Sequence, residues 1–284
     1  MSELSLKIGT CPPPGTGVNR WTFTTACMLF QAGWNEDKVR DYLNEHTTRS
    51  GHQADAEIAR AIERAPQWIR QGAASSRKKW PAIDCGELKK ALNNGIGVEE
   101  LRLFSPLKQA FAHQVLPILF PDNPLIWAAR SVHPEIGDTL PLQQWLPVAG
   151  MQQFVVPNPM ISRDIPRNGK SRRCLTNTGP RRFLVVEQDQ GILDEQAAIL
   201  WHLSRFAPFT MAVNSAGKSI HGWFYVADRS EETNRAFMEY AVSLGADPAT
   251  WVKCQPVRIP AGHRPNKGKQ EILFFRPAAI GGVR

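Results

Sequence analysis

Nowhere in the 284 residues does an apolar run approach the length that crosses a bilayer, and the opening Met-Ser-Glu-Leu-Ser-Leu-Lys holds no apolar segment of the secretory kind. These absences predict a soluble, cytoplasmic chain with no membrane partner. No C-x-x-C pair occurs: Cys11, Cys27, Cys85, Cys174 and Cys254 stand far apart, which argues against a zinc knuckle and a disulfide framework and predicts free thiols. No His-x-His pair occurs either, so the metal pair that a rolling-circle endonuclease sets beside a helical tyrosine is missing, although Tyr240 lies in a helical stretch. Ala212-Val-Asn-Ser-Ala-Gly217-Lys218-Ser219 falls one glycine short of a P-loop. It runs straight into the β-branched and aromatic Ile-His-Gly-Trp-Phe-Tyr-Val, whereas a P-loop must feed a helix whose N-terminus faces the phosphates. An ATPase reading fails on that context, and no helicase segment is evident.

What is present is a well-packed composition, 42% hydrophobic with nine tryptophans, which excludes a disordered chain. The net charge of +8 is compatible with a polyanionic partner. Residues 1–70 read as an extended leading segment followed by three amphipathic helices at Trp21 to Phe30, Asn35 to His46 and Ala54 to Ala65. Arg20 stands just before the first of them. The small, polar and charged stretch 71–84 reads as a linker, and 85–284 as a second domain. Within it, 86 to 118 looks helical, and Phe154-Val-Val156 suggests an edge strand of the same sheet as the strands from Phe183 onward. Residues 163 to 182 carry Arg163, Arg167, Lys170, Arg172, Arg173, Arg181 and Arg182 against one acid, a plausible phosphate track or else a solvated basic loop.

Residues 181 to 275 organise the rest. Phe183-Leu-Val-Val-Glu187-Gln-Asp189 is an apolar strand ending in two carboxylates one residue apart, which a period of two aims at one face. A helix from Asp194 to Phe206, strands at Phe209 to Val213 and Ile220 to Val226, and a helix capped by Ser230 and ended by Gly245 follow. A last hairpin is expected to pair Pro256 to Pro260 with Glu271 to Phe275. The fold class is therefore α+β, with an RRM-like or ferredoxin-like βαββαβ core and an extra N-terminal helical domain. In that topology the first and third strands lie side by side in the middle of the sheet. Glu187, Asp189, Ser219, His221 and Asp247 then converge at one edge, a set suited to divalent metals and a phosphate-bearing substrate.

The acid-x-acid pair of Glu187 and Asp189, the Ser219-x-His221 after a Gly-Lys turn, and Asp247 eleven residues before Arg258 resemble the three motifs of the archaeo-eukaryotic primase superfamily, most of all the primase-polymerases of mobile elements. The likeness covers roughly residues 85 to 277. The N-terminal helices, opened by Gly17-Val-Asn19-Arg20, are similar to the helical module that commonly follows such primases at their C-terminal side; here it comes first. The resemblance implies a DNA primase or primase-polymerase serving phage or mobile-element replication. Glu187, Asp189 and Asp247 would hold two Mg²⁺ or Mn²⁺ ions, while Lys218, Ser219, His221 and Arg258 would orient an NTP or dNTP. Single-stranded DNA would be the template, contacted by Arg163, Arg167, Lys170, Arg172, Arg173 and Arg20, and a separate replicative helicase a possible partner. The alternative is a non-catalytic single-stranded DNA-binding module, in which Trp223 and Tyr225 either stack bases on an exposed sheet face or belong to the core.

Overall fold

Asn35 accepts a hydrogen bond from the Lys38 amide at 3.0 Å and so starts the second of three consecutive helices. In the computed structural model the described residues are 10–13, 18–74, 80–107, 110–133, 136–167 and 171–281, the side chains of 31 and 67–74 excepted. Most of the leading segment, Gly15 to Gly17, the linker residues 75–79 and Lys170 lie outside them. Two compact units emerge, Met1–Lys79 and Trp80–Arg284. In the first, α1 (Val18–Gln31), α2 (Glu36–Arg49) and α3 (Asp55–Ala74) bury Ala26, Leu29, Val39, Leu43, Ile58, Ala61, Ile62 and Ala65 together. The third helix continues through Pro66 to Ala74 rather than ending at Ala65, in keeping with the good helix formers beyond that proline.

The second unit mixes helices and sheets. The single helical region expected between 86 and 118 is three short helices, α4 (Cys85–Asn93), α5 (Val98–Leu103) and α6 (Ala112–Leu119). Asp84 caps α4 through the amides of Gly86 and Glu87, and Gly97 interrupts the run before α5. One sheet holds β1 (Leu125–Ala129), β2 (Asp138–Pro141), β3 (Phe154–Val155) and β7 (Val257–Arg258), in the order β2-β1-β3-β7. The other holds β4 (Phe183–Gln188), β5 (Phe209–Asn214), β6 (Ile220–Tyr225) and β10 (Ile272–Phe275), in the order β10-β5-β6-β4. Helix α7 (Leu193–Leu203) joins β4 to β5, and α8 (Glu231–Ser243) follows β6; Ser230 caps α8, and Gly245 leaves it at φ +98°.

The β4 sheet is covered on both faces, and this explains its uninterrupted apolar run Phe183–Val186. Leu184, Val186, Ala212, Ile220 and Phe224 pack with Leu200, Leu203, Phe237 and Met238 of α7 and α8. Phe183, Val185, Met211, Val213 and Trp223 pack with Val115, Leu116 and Leu119 of α6 and with Ile126, Ala128, Val155 and Val257 of the first sheet. Trp223 and Tyr225 thus belong to the interior, 0% and 8% exposed, with the indole edge-on to Phe183 at 5.5 Å. Of the two readings open for these side chains, exposed stacking platform and core, the structure shows core.

Three expectations about pairing need correction. Strands β4 and β6 do pair antiparallel, Glu187 opposite His221, but β4 lies at the margin of its sheet rather than in the middle. Beyond it the chain after α8 adds only the bridge Gln188–Ala246 and the hydrogen bond from Asp247 N to Glu187 O at 3.0 Å. Pro248 then supplies no amide to extend the ladder and begins a 3₁₀ turn. Residues 256–260 do not pair with 271–275. Pro256 and Pro260 bracket three residues that keep their amides, and of these Val257 and Arg258 join β3, with Arg258 opposite Phe154, while β10 joins β5. Between them a small hairpin forms from β8 (His263–Arg264) and β9 (Gly268–Lys269). Phe154–Val155 accordingly sits inside the first sheet, between β1 and β7, and not at the edge of the β4 sheet.

Candidate functional site

At the end of β4 the period of two turns Glu187 to the same side as Val185 and, on the neighbouring strand, His221 to the same side as Trp223. Both stand where the apolar layer gives way to the rim. His221 is 3% exposed, and its Nε2 lies 3.2 Å from Glu187 Oε1, off the line of a good hydrogen bond; its Nδ1 is buried without a hydrogen-bond partner. Ser219 Oγ donates to the same Glu187 oxygen at 3.1 Å and lies 3.0 Å from Ser215 Oγ. Burial is the largest influence on the Glu187 carboxyl and pushes it up. The close approach and charge of His221, the Ser219 hydrogen bond and the charge of Arg258 outweigh it, so the group titrates below the ordinary carboxylate range.

The turn between β5 and β6 is built by its own polar side chains. Asn214 Oδ1 accepts from the Ala216 amide at 3.0 Å, Ala216 takes φ +53°, and the Ser215 amide donates to Ser219 O at 2.9 Å. Gln196 of α7, fully buried, ties the turn down: its Nε2 donates to Lys218 O and its Oε1 accepts from the Ile220 amide, both at 2.8 Å. Lys218 Nζ reaches to 3.9 Å from Asp189 Oδ1, and both side chains are exposed.

Arg258 lies over the Phe154 ring, 4.3 Å from its centroid, and donates to Gln153 Oε1 at 3.5 Å. Burial and then the like charge of Arg264 lower its pKa to about 10, against the opposing pull of Glu187. Arg258 therefore stays charged at neutral pH. Asp247 follows the Gln188–Ala246 bridge, but its carboxylate caps the next turn, accepting from the Ala249 amide at 2.9 Å. The structure thus joins Glu187, Ser219 and His221 directly, sets Asp189 and Lys218 beside them, and brings Asp247 in through its backbone. Among the described residues no three His, Cys, Asp or Glu side chains gather as a metal-ligand group. Glu187, Asp189 and Asp247 nonetheless supply hard oxygen donors on adjoining stretches of backbone, the ligand type that Mg²⁺ and Mn²⁺ prefer.

The basic loop separates into two kinds of residue. Arg163 and Arg167 are exposed. Arg172 donates to Arg163 O at 2.7 Å and lies 3.6 Å from Asp138, while Arg173 stacks over Trp127 and donates to Cys254 O and Val132 O, both at 3.3 Å. Arg181, 8% exposed, stacks over Trp251 and pairs with Glu231; Arg182 donates to Leu119 O at 2.6 Å. In the helical unit, Arg20 lines a cleft of about 460 Å³ with Arg60 and Arg64.

Sequence reasoning missed Gln196, Ser215, Gln153 and Arg264. Gln196 is hidden in an apolar helix, and Arg264 in a stretch that reads as a solvated turn. Among the described residues no helix is long and apolar enough to cross a membrane. No protein-family model, curated protein or solved structure matches the chain.

Proposed function

We propose that the protein is a DNA primase or primase-polymerase, a nucleotidyltransferase that joins NTPs or dNTPs on a single-stranded DNA template. The observation that carries this reading is the Glu187 carboxylate held by Ser219 and His221, with Lys218 and Arg258 close by. A carboxylate that stays ionised amid cations at a rim fits phosphoryl chemistry better than structural pairing. The antiparallel adjacency of β4 and β6, with helices on one face, supports a ferredoxin-like, RRM-like core in which this rim is the meeting point of distant motifs.

Glu187, Asp189 and Asp247 would hold Mg²⁺ or Mn²⁺, which when bound would neutralise the triphosphate and ease loss of the proton from the attacking 3′-hydroxyl. Ser219 and His221 fix the Glu187 carboxylate in place. Lys218 and Arg258 draw in and orient the phosphates, and positioning supplies much of the rate in such chemistry. Arg163 and Arg167 would meet the template backbone electrostatically. Unwinding would fall to a separate helicase.

The test is incubation with single-stranded DNA, labelled nucleotides and Mn²⁺ or Mg²⁺, with and without an annealed primer, beside Asp189→Ala. The expected outcome is metal-dependent product, reduced at least about 100-fold in the variant by loss of several kcal/mol of charge stabilisation, with DNA binding unchanged. No product with either metal, together with intact DNA binding, would favour a non-catalytic DNA-binding module. That module would need contacts other than Trp223 and Tyr225, which are buried.

A further inference from the structure

We propose that Arg264, carried on the β8–β9 hairpin, is the second guanidinium of a polyphosphate site whose floor is the Ser215–Ser219 turn. The inference deepens the nucleotide-site reading and rests on it for the identity of the physiological ligand, but not for the site's chemistry.

Arg264 reaches across to the turn. A methyl group placed on Gly217 would stand 2.8 Å from Arg264 Nη1 and 3.3 Å from Ser215 Oγ, so the guanidinium occupies the space that any side chain at 217 would need. It is also near enough to Arg258 for the two positive charges to oppose each other. Like charges held together at a partly buried rim favour an anion between them. The basic side chains of Lys218, Arg258 and Arg264 stand at a rim with carboxylates at Glu187 and Asp189, and neither nitrogen of the buried His221 ring has a hydrogen-bond partner. Guanidiniums grip phosphate oxygens in pairs, whereas a single lysine acts as a point charge.

The hairpin is braced to present this side chain. The Ala261 amide donates to Gln270 O at 2.9 Å and the Gln270 amide to Gly262 O at 2.8 Å. The fully buried Gln270 donates through Nε2 to Gln153 O at 3.1 Å. The Gln153 side chain meanwhile accepts from Arg258. Gln153, immediately before β3, therefore steadies both arginine arms, a placement that a merely solvated turn would not require.

The test titrates sodium tripolyphosphate into the metal-free 284-residue chain by calorimetry, with single-stranded DNA in a parallel arm. Variants are Arg264→Gln, Arg264→Lys and Gly217→Ala, each checked for an unchanged thermal transition. Saturable tripolyphosphate binding is expected, weakened at least tenfold by Arg264→Gln, less by Arg264→Lys, and severalfold by Gly217→Ala, whose methyl displaces Nη1. Wild-type protein without saturable binding, or Arg264→Gln binding within twofold of wild type, would overturn the proposal. Loss confined to the DNA arm would overturn it equally and assign Arg264 to the strand backbone. Tripolyphosphate binding that depends on Arg264 in a protein that makes no polymer would leave the site standing and remove the polymerase reading. Synthesis by Arg264→Gln with an unchanged KM for nucleotide would do the reverse.

Discussion

Glu187 is pulled two ways, and the balance can be measured. Because its folded pKa lies below the ordinary value, the ionised carboxylate stabilises the fold fully above that value, and the contribution is lost as pH falls through the lowered one. His221 is the first of the influences that offset burial. In His221→Ala, Glu187 should titrate higher than in wild type by carboxyl carbon NMR, and acid unfolding should begin at higher pH. The stability lost at neutral pH should be about 1–3 kcal/mol, the cost of the cavity left by a buried ring and of the lost contact with the half-buried Glu187 carboxylate. An unchanged titration would show that His221 does not govern the carboxylate. Asp189→Ala should differ in kind: its exposed contact with Lys218 at 3.9 Å contributes little, so urea unfolding should shift by less than about 0.5 kcal/mol. At this scale the sequence was legible where chemistry repeats at short spacing, as in Ser219-x-His221. It was silent on Gln196, whose partners on the turn lie 22 and 24 residues away.

Strands β4, β5 and β6 and helices α7 and α8 were legible because their apolar periods are strong and their boundaries carry Ser230 and Gly245. Pairing partners were harder to read. An apolar alternation says that a strand has a buried face and not which strand it meets, so Val257–Arg258 and Ile272–Phe275 looked like one hairpin although they serve two sheets. For the same reason His221-x-Trp223-x-Tyr225 showed a common face without showing that α6 and the first sheet cover it. Tight packing between elements yields a prediction at Gly222. A methyl there would stand 2.4 Å from Cδ2 of the fully buried Leu200, forcing β6 and α7 apart. Gly222→Ala should cost about 1–3 kcal/mol in urea unfolding. Gly217→Ala, which meets the mobile end of Arg264, should leave stability nearly unchanged.

The separation of cores governs the molecule as a whole. Among the described residues the buried apolar cluster of the helical unit runs from Ala26 to Ala65, and the clusters of the second unit lie between Ala91 and Phe275. A fragment of residues 80–284 should therefore melt in one cooperative transition by circular dichroism and keep its tripolyphosphate binding; a fragment without such a transition would show that the second core depends on the first unit. The boundary between the units, Lys79 to Trp80, falls inside the expected linker 71–84, but residues 71–74 of that stretch belong to α3. The division of the second unit into two sheets was not legible, since it rests on contacts far apart in the chain. Phe154 of β3 waits for Arg258 of β7, 104 positions later, before the first sheet is complete. On the ribosome, β1 and β2 emerge beside a β3 whose outer edge stays unpaired while the whole β4–α7–β5–β6–α8 segment is made. That open edge is a template for joining a neighbouring nascent chain, so the yield of native protein should depend on synthesis rate and chaperone supply more than final stability suggests.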